Sequence, residues 1–138
     1  MSVIWRDDMS VGNESIDNDH KYLISILNTI EAAINCRVHV KTLTMYSLAL
    51  KEYTEEHFDR EEKIQVEIDF PFHEGHKKEH KELVLRLKHV IAQFSGQNDD
   101  EAYRETLPSL VGILRDWLIH HILNEDMRMK EYLLKKAS

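Results

Sequence analysis

Two short spacings in this chain pair side chains that bind metal ions. His57 and Glu61 are four residues apart, as are His76 and His80, so on a helix each pair projects from one face, one turn apart. Both pairs run in phase with apolar residues, the first with Leu43, Tyr46, Leu50, Tyr53 and Ile64, the second with Leu83, Leu87, Ile91 and Phe94. Imidazoles and a carboxylate aimed into a core carry a large desolvation cost unless something satisfies them, and a metal ion is the compact solution. His20 shares a stripe with Ile24, Leu27 and Ile34, and His121 follows Leu107, Leu110, Leu114 and Trp117. A lone helical histidine is ordinarily a surface or packed residue, whereas in-phase pairs on neighbouring helices point to ligation.

The elements that must position these residues are four apolar series at helical spacing, with almost no period-two alternation. The first covers residues 18–35, with Ser15 and Asp17 as plausible caps; the second covers 40–64 and ends before Phe70 and Pro71. The third starts near residue 74 and stops at the Gly-Gln-Asn-Asp run of residues 96–99. The fourth runs through Leu107 to Leu134. Pro108 sits either in its first turn, with a start near Thr106, or at a kink in a helix begun near Asp99. Four such segments with short connections predict an all-α fold: an antiparallel up-down-up-down four-helix bundle. It forms one domain, with an N-terminal extended segment over residues 1–17 and the bundle over 18–134. Alternating helix direction then brings His20, His57, His76, His80 and His121 to one end.

Five imidazoles and two carboxylates exceed what one tetrahedral zinc uses and suit two borderline ions such as iron sharing bridging oxygens. On the fourth helix an ideal geometry slightly prefers Glu125, four residues after His121, because Asp126 lies about 140 degrees round. The later apolar residues Met129 and Leu133 are instead in phase with Asp126, as though the register slips by one residue in a single wide turn.

Composition narrows the alternatives. The 138 residues hold nine His, two Pro, four Gly and one Cys, with net charge −7 at pH 7. That acidity argues against a nucleic-acid backbone or an anionic membrane as principal partner, and no apolar run is long enough for a membrane span. The N-terminus lacks a basic region followed by an apolar stretch, so a cytoplasmic location is expected. Cys36 cannot form an internal bridge and has no cationic cluster to activate it. His39, His89 and His120 are expected at the surface. His73, beside Pro71 and Gly75, is expected at a helix start, and Tyr53 is expected to pack in the core, with a hydroxyl that could tune or shield the site.

The chain resembles the hemerythrin family over nearly its whole length. The likeness rests on Trp5, Val11-Gly12, Ile16-Asp17-Asn18-Asp19-His20, His57-Phe58-Asp59-Arg60-Glu61-Glu62, His76-Lys77-Lys78-Glu79-His80 and Trp117-Leu118-Ile119-His120-His121-Ile122 with Asp126. Ile64 stands where many relatives have Met. The resemblance implies a non-haem di-iron centre, oxo- or hydroxo-bridged. His76, His80 and His121 would hold one iron, His20 and His57 the other, with Glu61 and Asp126 bridging. It also implies an apolar wall of Phe58, Trp117, Leu118 and Ile122 around the oxygen site.

The function so implied is reversible dioxygen binding for storage, delivery or sensing, with no enzymatic turnover. One rival is a di-iron oxidase, peroxidase or nitric-oxide-handling enzyme on the same bundle. Another is a purely structural or partner-binding bundle. The donor set favours the carrier, because carboxylate-rich di-iron enzymes show a Glu from each of two helices plus two Glu-x-x-His pairs. The oligomeric state stays open with a lean towards monomer, and any protein partner is a separate chain.

Overall fold

Asn13 starts the first helix. Its backbone is extended and its side chain accepts a hydrogen bond from the Ile16 amide, so α1 runs Glu14–Asn35 and begins earlier than the spacing suggested. Ser15 therefore lies inside the first turn. Asp17, the other expected cap, instead accepts hydrogen bonds from the Ser10 hydroxyl and the Val11 amide, and ties the N-terminal segment to the helix. The computed structural model describes residues 3–95, 104 and 107–137, apart from the side chains of residues 94, 110 and 137.

The second helix, α2, spans Val40–Glu67 and α3 spans His73–Ser95. The fourth run comprises α4 (Leu107–His120), a π turn (His121–Glu125), a 3-10 turn (Asp126–Met129) and α5 (Lys130–Ala137). Pro108 lies in the first described turn of α4. The expected stop at residues 96–99, both alternative starts for the fourth helix, and the side chains of Phe94 and Leu110 lie outside the described residues. There is no strand among the described residues.

The first two helices end by the same device. After α1, the Val38 amide donates to Ala33 O and the Arg37 amide to Ile34 O; after α2, Phe70 donates to Gln65 O and Asp69 to Val66 O. These paired bonds define Schellman ends. The left-handed residue is a non-glycine in both, Arg37 at φ 56° and Asp69 at φ 54°.

Packing closes the ring: α1 lies on α2, α2 on α3, α3 on α4 and α4 on α1. The bundle is therefore an antiparallel up-down-up-down four-helix bundle, as the periodicity predicts. Its interior is divided in two. The long cluster includes Leu23, Leu27, Ile30, Leu43, Leu50, Leu83, Leu87 and Leu114, while a smaller one at the opposite end joins Val11, Ile16, Phe70, Met129 and Leu133. The N-terminal segment thus plugs the bundle end through Val11, turning into α1 at Gly12, whose φ of +83° favours glycine.

One stripe differs in detail. Tyr46, expected inward on α2, is exposed, and Ser47 and Thr54 are buried in its stead. A long straight helix drifts relative to a strict heptad, and both hydroxyls are satisfied by donating to the carbonyls of Leu43 and Leu50.

Candidate metal centre

Between the two apolar clusters lies a polar layer with contributions from all four helices. His20 comes from α1, His57 and Glu61 from α2, His76 and His80 from α3, and His121 and Asp126 from the fourth run; all seven are buried. Their ligand atoms fall into two groups that could each hold a metal ion. One is Glu61, His76, His80, His121 and Asp126; the other is His20, His57, Glu61 and Asp126.

Both carboxylates are shared, and each divides its oxygens between the groups. Glu61 Oε1 lies 3.3 Å from His76 Nε2 and 3.4 Å from His80 Nε2, while Oε2 lies 2.9 Å from His57 Nε2 and 3.8 Å from His20 Nε2. Asp126 Oδ1 lies 2.6 Å from His76 Nε2 and 3.0 Å from His121 Nε2, while Oδ2 lies 3.0 Å from His20 Nε2. A carboxylate that offers one oxygen to each of two positions has the geometry of a bridge.

The π turn decides which acid takes part. The amide of Asp126 donates to His121 O, five residues back, so the turn holds one residue more than an α turn. That widening brings Asp126 under His121 and leaves Glu125 partly exposed, 3.3 Å from Arg128. The register slip inferred from Met129 and Leu133 has this cause.

The donor set fits metal cations. His20 Nε2, His57 Nε2, His80 Nε2, His121 Nε2, Glu61 Oε2 and Asp126 Oδ2 are buried and make no hydrogen bond of acceptable geometry among the described residues. Native interiors seldom leave so many polar atoms unsatisfied, and these converge on common points. The electrostatics agree. Burial opposes charge on His20, but Asp126 and Glu61 override it and raise the pKa to about 10. Burial likewise opposes charge on His80, and Glu61 and Glu62 raise it to about 9. Burial also works against ionised Asp126, yet His121, His20 and His76 hold its carboxyl well below the usual range. In metal-free protein, protons supply the positive charge that cations supply when bound.

A second row of polar groups stands behind the ligands. Asp19 lies 2.9 Å from His57 Nδ1, while Glu62 and Glu79 lie at 3.5 Å from the Nδ1 atoms of His80 and His121. Gln65 donates weakly towards Glu61 at 3.4 Å and pairs with His73 Nδ1 at 2.9 Å, so His73 touches the site through Gln65. Asp19, Glu62, Glu79 and Gln65 are not among the residues that spacing marks as ligands. For Gln65 a signal existed, since it lies four residues after Glu61 on the same helical face; the others carry none without the fold.

Of the four expected wall residues, Phe58, Leu118 and Ile122 are buried in the long apolar cluster. The Phe58 ring stacks on His80 at 3.8 Å. Trp117 is only partly buried: it packs on the same cluster, and the Arg86 guanidinium sits 4.7 Å from its ring centre. His39, His89 and His120 lie away from the layer. His39 caps α2 by accepting from the Lys41 amide, and exposed His89 and His120 pair with Gln93 and Asn124.

Fold and donor set together define a helical-bundle protein that binds metal cations. The chain belongs to the hemerythrin family, since residues 11–133 match the family model described as the hemerythrin HHE cation binding domain. It is similar to a protein named Bacteriohemerythrin from Pseudomonas paraeruginosa, 30% identical over 126 residues, covering 90% of this chain and 76% of the relative. A Bacteriohemerythrin from Clostridium acetobutylicum is 27% identical over 133 residues, covering 94% and 98%. One from Campylobacter jejuni is 23% identical over 128 residues, covering 93% and 92%. Among the described residues no helix is long and apolar enough to cross a membrane.

Proposed function

We propose that this protein binds dioxygen reversibly at a pair of non-haem iron ions and acts as a carrier, store or sensor of oxygen, not as a catalyst. The supporting observation is the split of Glu61 and Asp126 between two unequal donor groups, one with three imidazoles and one with two. The position with fewer imidazoles is the one with room for an added ligand. The chemistry an iron pair supplies here is two electrons lent to dioxygen and recovered on its release.

The chain's own residues do the rest. Glu61 and Asp126 set the spacing of the two positions, and the five imidazoles hold them from four helices. Phe58, Leu118 and Ile122 keep water from the layer on one side, and Val11, Ile16 and Met129 do so on the other. Asp19, the other buried carboxylate beside the site, is engaged by Arg60, Tyr53 and His57, so it is not available as an acid. This favours binding over turnover, as does a donor set richer in imidazole than in carboxylate.

Iron analysis combined with anaerobic and aerobic optical spectra of one sample tests the proposal. The expected result is two irons per chain and an oxygenated spectrum that reverts when oxygen is removed. Steady oxygen, peroxide or nitric oxide consumption with a reductant, without recovery of the starting spectrum, would replace the carrier with a di-iron enzyme. Protein that takes up no metal and is indifferent to chelators would indicate a structural bundle.

A further inference from the structure

The two metal positions are braced very differently from behind. Asp19 sits at the edge of the layer, 6% exposed, and its carboxylate receives four hydrogen bonds. Tyr53 OH donates to Oδ1 at 2.6 Å, Arg60 donates to both oxygens at 2.9 Å, and His57 Nδ1 meets Oδ2 at 2.9 Å. The two-pronged guanidinium contact fixes the plane of the carboxylate. A carboxylate so held is an acceptor only, so a ligating His57 must keep its proton on Nδ1, which leaves Nε2, the atom on the Glu61 side, as the one that would hold the ion. Among the described residues, Glu62 and Glu79 approach the Nδ1 atoms of His80 and His121 no closer than 3.5 Å, and His20 Nδ1 has no hydrogen-bond partner.

Counting donors sharpens the contrast. The position built from His20 and His57 has two imidazoles, and one of these, His20, has no hydrogen-bond partner at Nδ1 among the described residues. The neighbouring position has three imidazoles, so loss of order in one leaves two. Occupancy of the two-imidazole position must therefore depend on how well His57 is fixed. We propose that Asp19, aligned by Arg60 and Tyr53, is the positioning residue for the His20/His57 metal position, and that this clamp allows the weaker donor set to retain its ion. The clamp joins α1 to α2 across residues that are 34, 38 and 41 apart in sequence, so it also registers the two helices that form that position.

This inference rests on the two-metal reading above. The test is anaerobic titration of metal-free protein with Fe(II), and with Co(II) as an optical probe, comparing wild type, Asp19→Asn and Tyr53→Phe. Asparagine keeps the size but loses the charge and one of the acceptor oxygens. The expected result for Asp19→Asn is one equivalent bound as in wild type and a second weakened about ten- to a hundredfold. Its one-metal Co(II) spectrum should match that of His20→Ala, which impairs the same position. Tyr53→Phe removes one of the four bonds and should weaken the second equivalent alone, by less. Circular dichroism of the metal-free variants separates positioning from folding. Equal weakening of both equivalents, or none, in a folded Asp19→Asn protein overturns the proposal. If that variant fails to fold, an unchanged second equivalent in Tyr53→Phe overturns it. Wild type that binds fewer than two equivalents overturns the two-metal reading instead.

Discussion

The seven ligand candidates differ from the remaining histidines in what surrounds their nitrogens. His76 is buried and faces Asp126 and Glu61, so His76→Ala should leave two carboxylates with an incomplete donor set. Metal content should fall below two ions per chain, and the loaded protein should lose about 4 kcal/mol, the contribution of one ion present at about a thousand times its dissociation constant. Unchanged two-ion stoichiometry by elemental analysis would refute the ligand assignment. His39 is the contrasting case. It lies at the surface, as expected, and its Nδ1 caps α2. His39→Ala should therefore cost about 0.5–1 kcal/mol in a denaturant melt with metal content unchanged.

Two predictions belong to helix ends and turns. Asp69 occupies a left-handed position at which glycine avoids the steric cost of a β-carbon. Asp69→Gly should raise the denaturation midpoint, by about 0.5–1 kcal/mol in stability, while Asp126 and the other ligands stay in place. The π turn is the second. Were the fourth helix regular, Glu125 would face the layer and Asp126 would not; with the extra residue the roles reverse. Asp126→Asn should thus abolish or strongly reduce two-metal loading, and Glu125→Gln should leave it unchanged. Equal effects from the two variants would mean that the turn is not wide in solution.

For the molecule as a whole, the metal layer couples stability to pH. In metal-free protein the pKa values of His20 and His80 stand at about 10 and about 9, against an ordinary 6.5. Raised values mean that their share of stability is complete below about pH 6.5 and is lost as pH rises through 9 to 10. Asp126 and Asp19 are depressed, so their share is present above about pH 4 and is lost on acidification. Thermal melts of metal-free protein should accordingly peak between about pH 5 and 6.5. Ligation needs neutral imidazoles, so loading at pH 7 should release protons, read as a buffer-dependent heat of binding. A buffer-independent heat would show that the imidazoles are already neutral.

Much of this was legible in the order of residues. Apolar residues at helical period mark four helices, and the in-phase pairs His57/Glu61 and His76/His80 mark which faces carry chemistry, because a helix places residues four apart in one line whatever packs against it. Even the odd register of Asp126 left a trace in Met129 and Leu133. What local spacing could not carry was anything that depends on which helices meet and at what height. Asp19 looks like one acid among many until α2 brings Arg60, Tyr53 and His57 to it. Ser15 and Asp17 looked like caps until the backbone at Asn13 took the extended conformation a cap needs. The division of Glu61 and Asp126 oxygens between two donor groups exists only once four helices converge, since a bridge is a relation between positions distant in sequence. The chain alone determines helices, faces and a set of donors; tertiary packing decides their pairing, because long-range contacts, not periodicity, set distances between side chains on different helices.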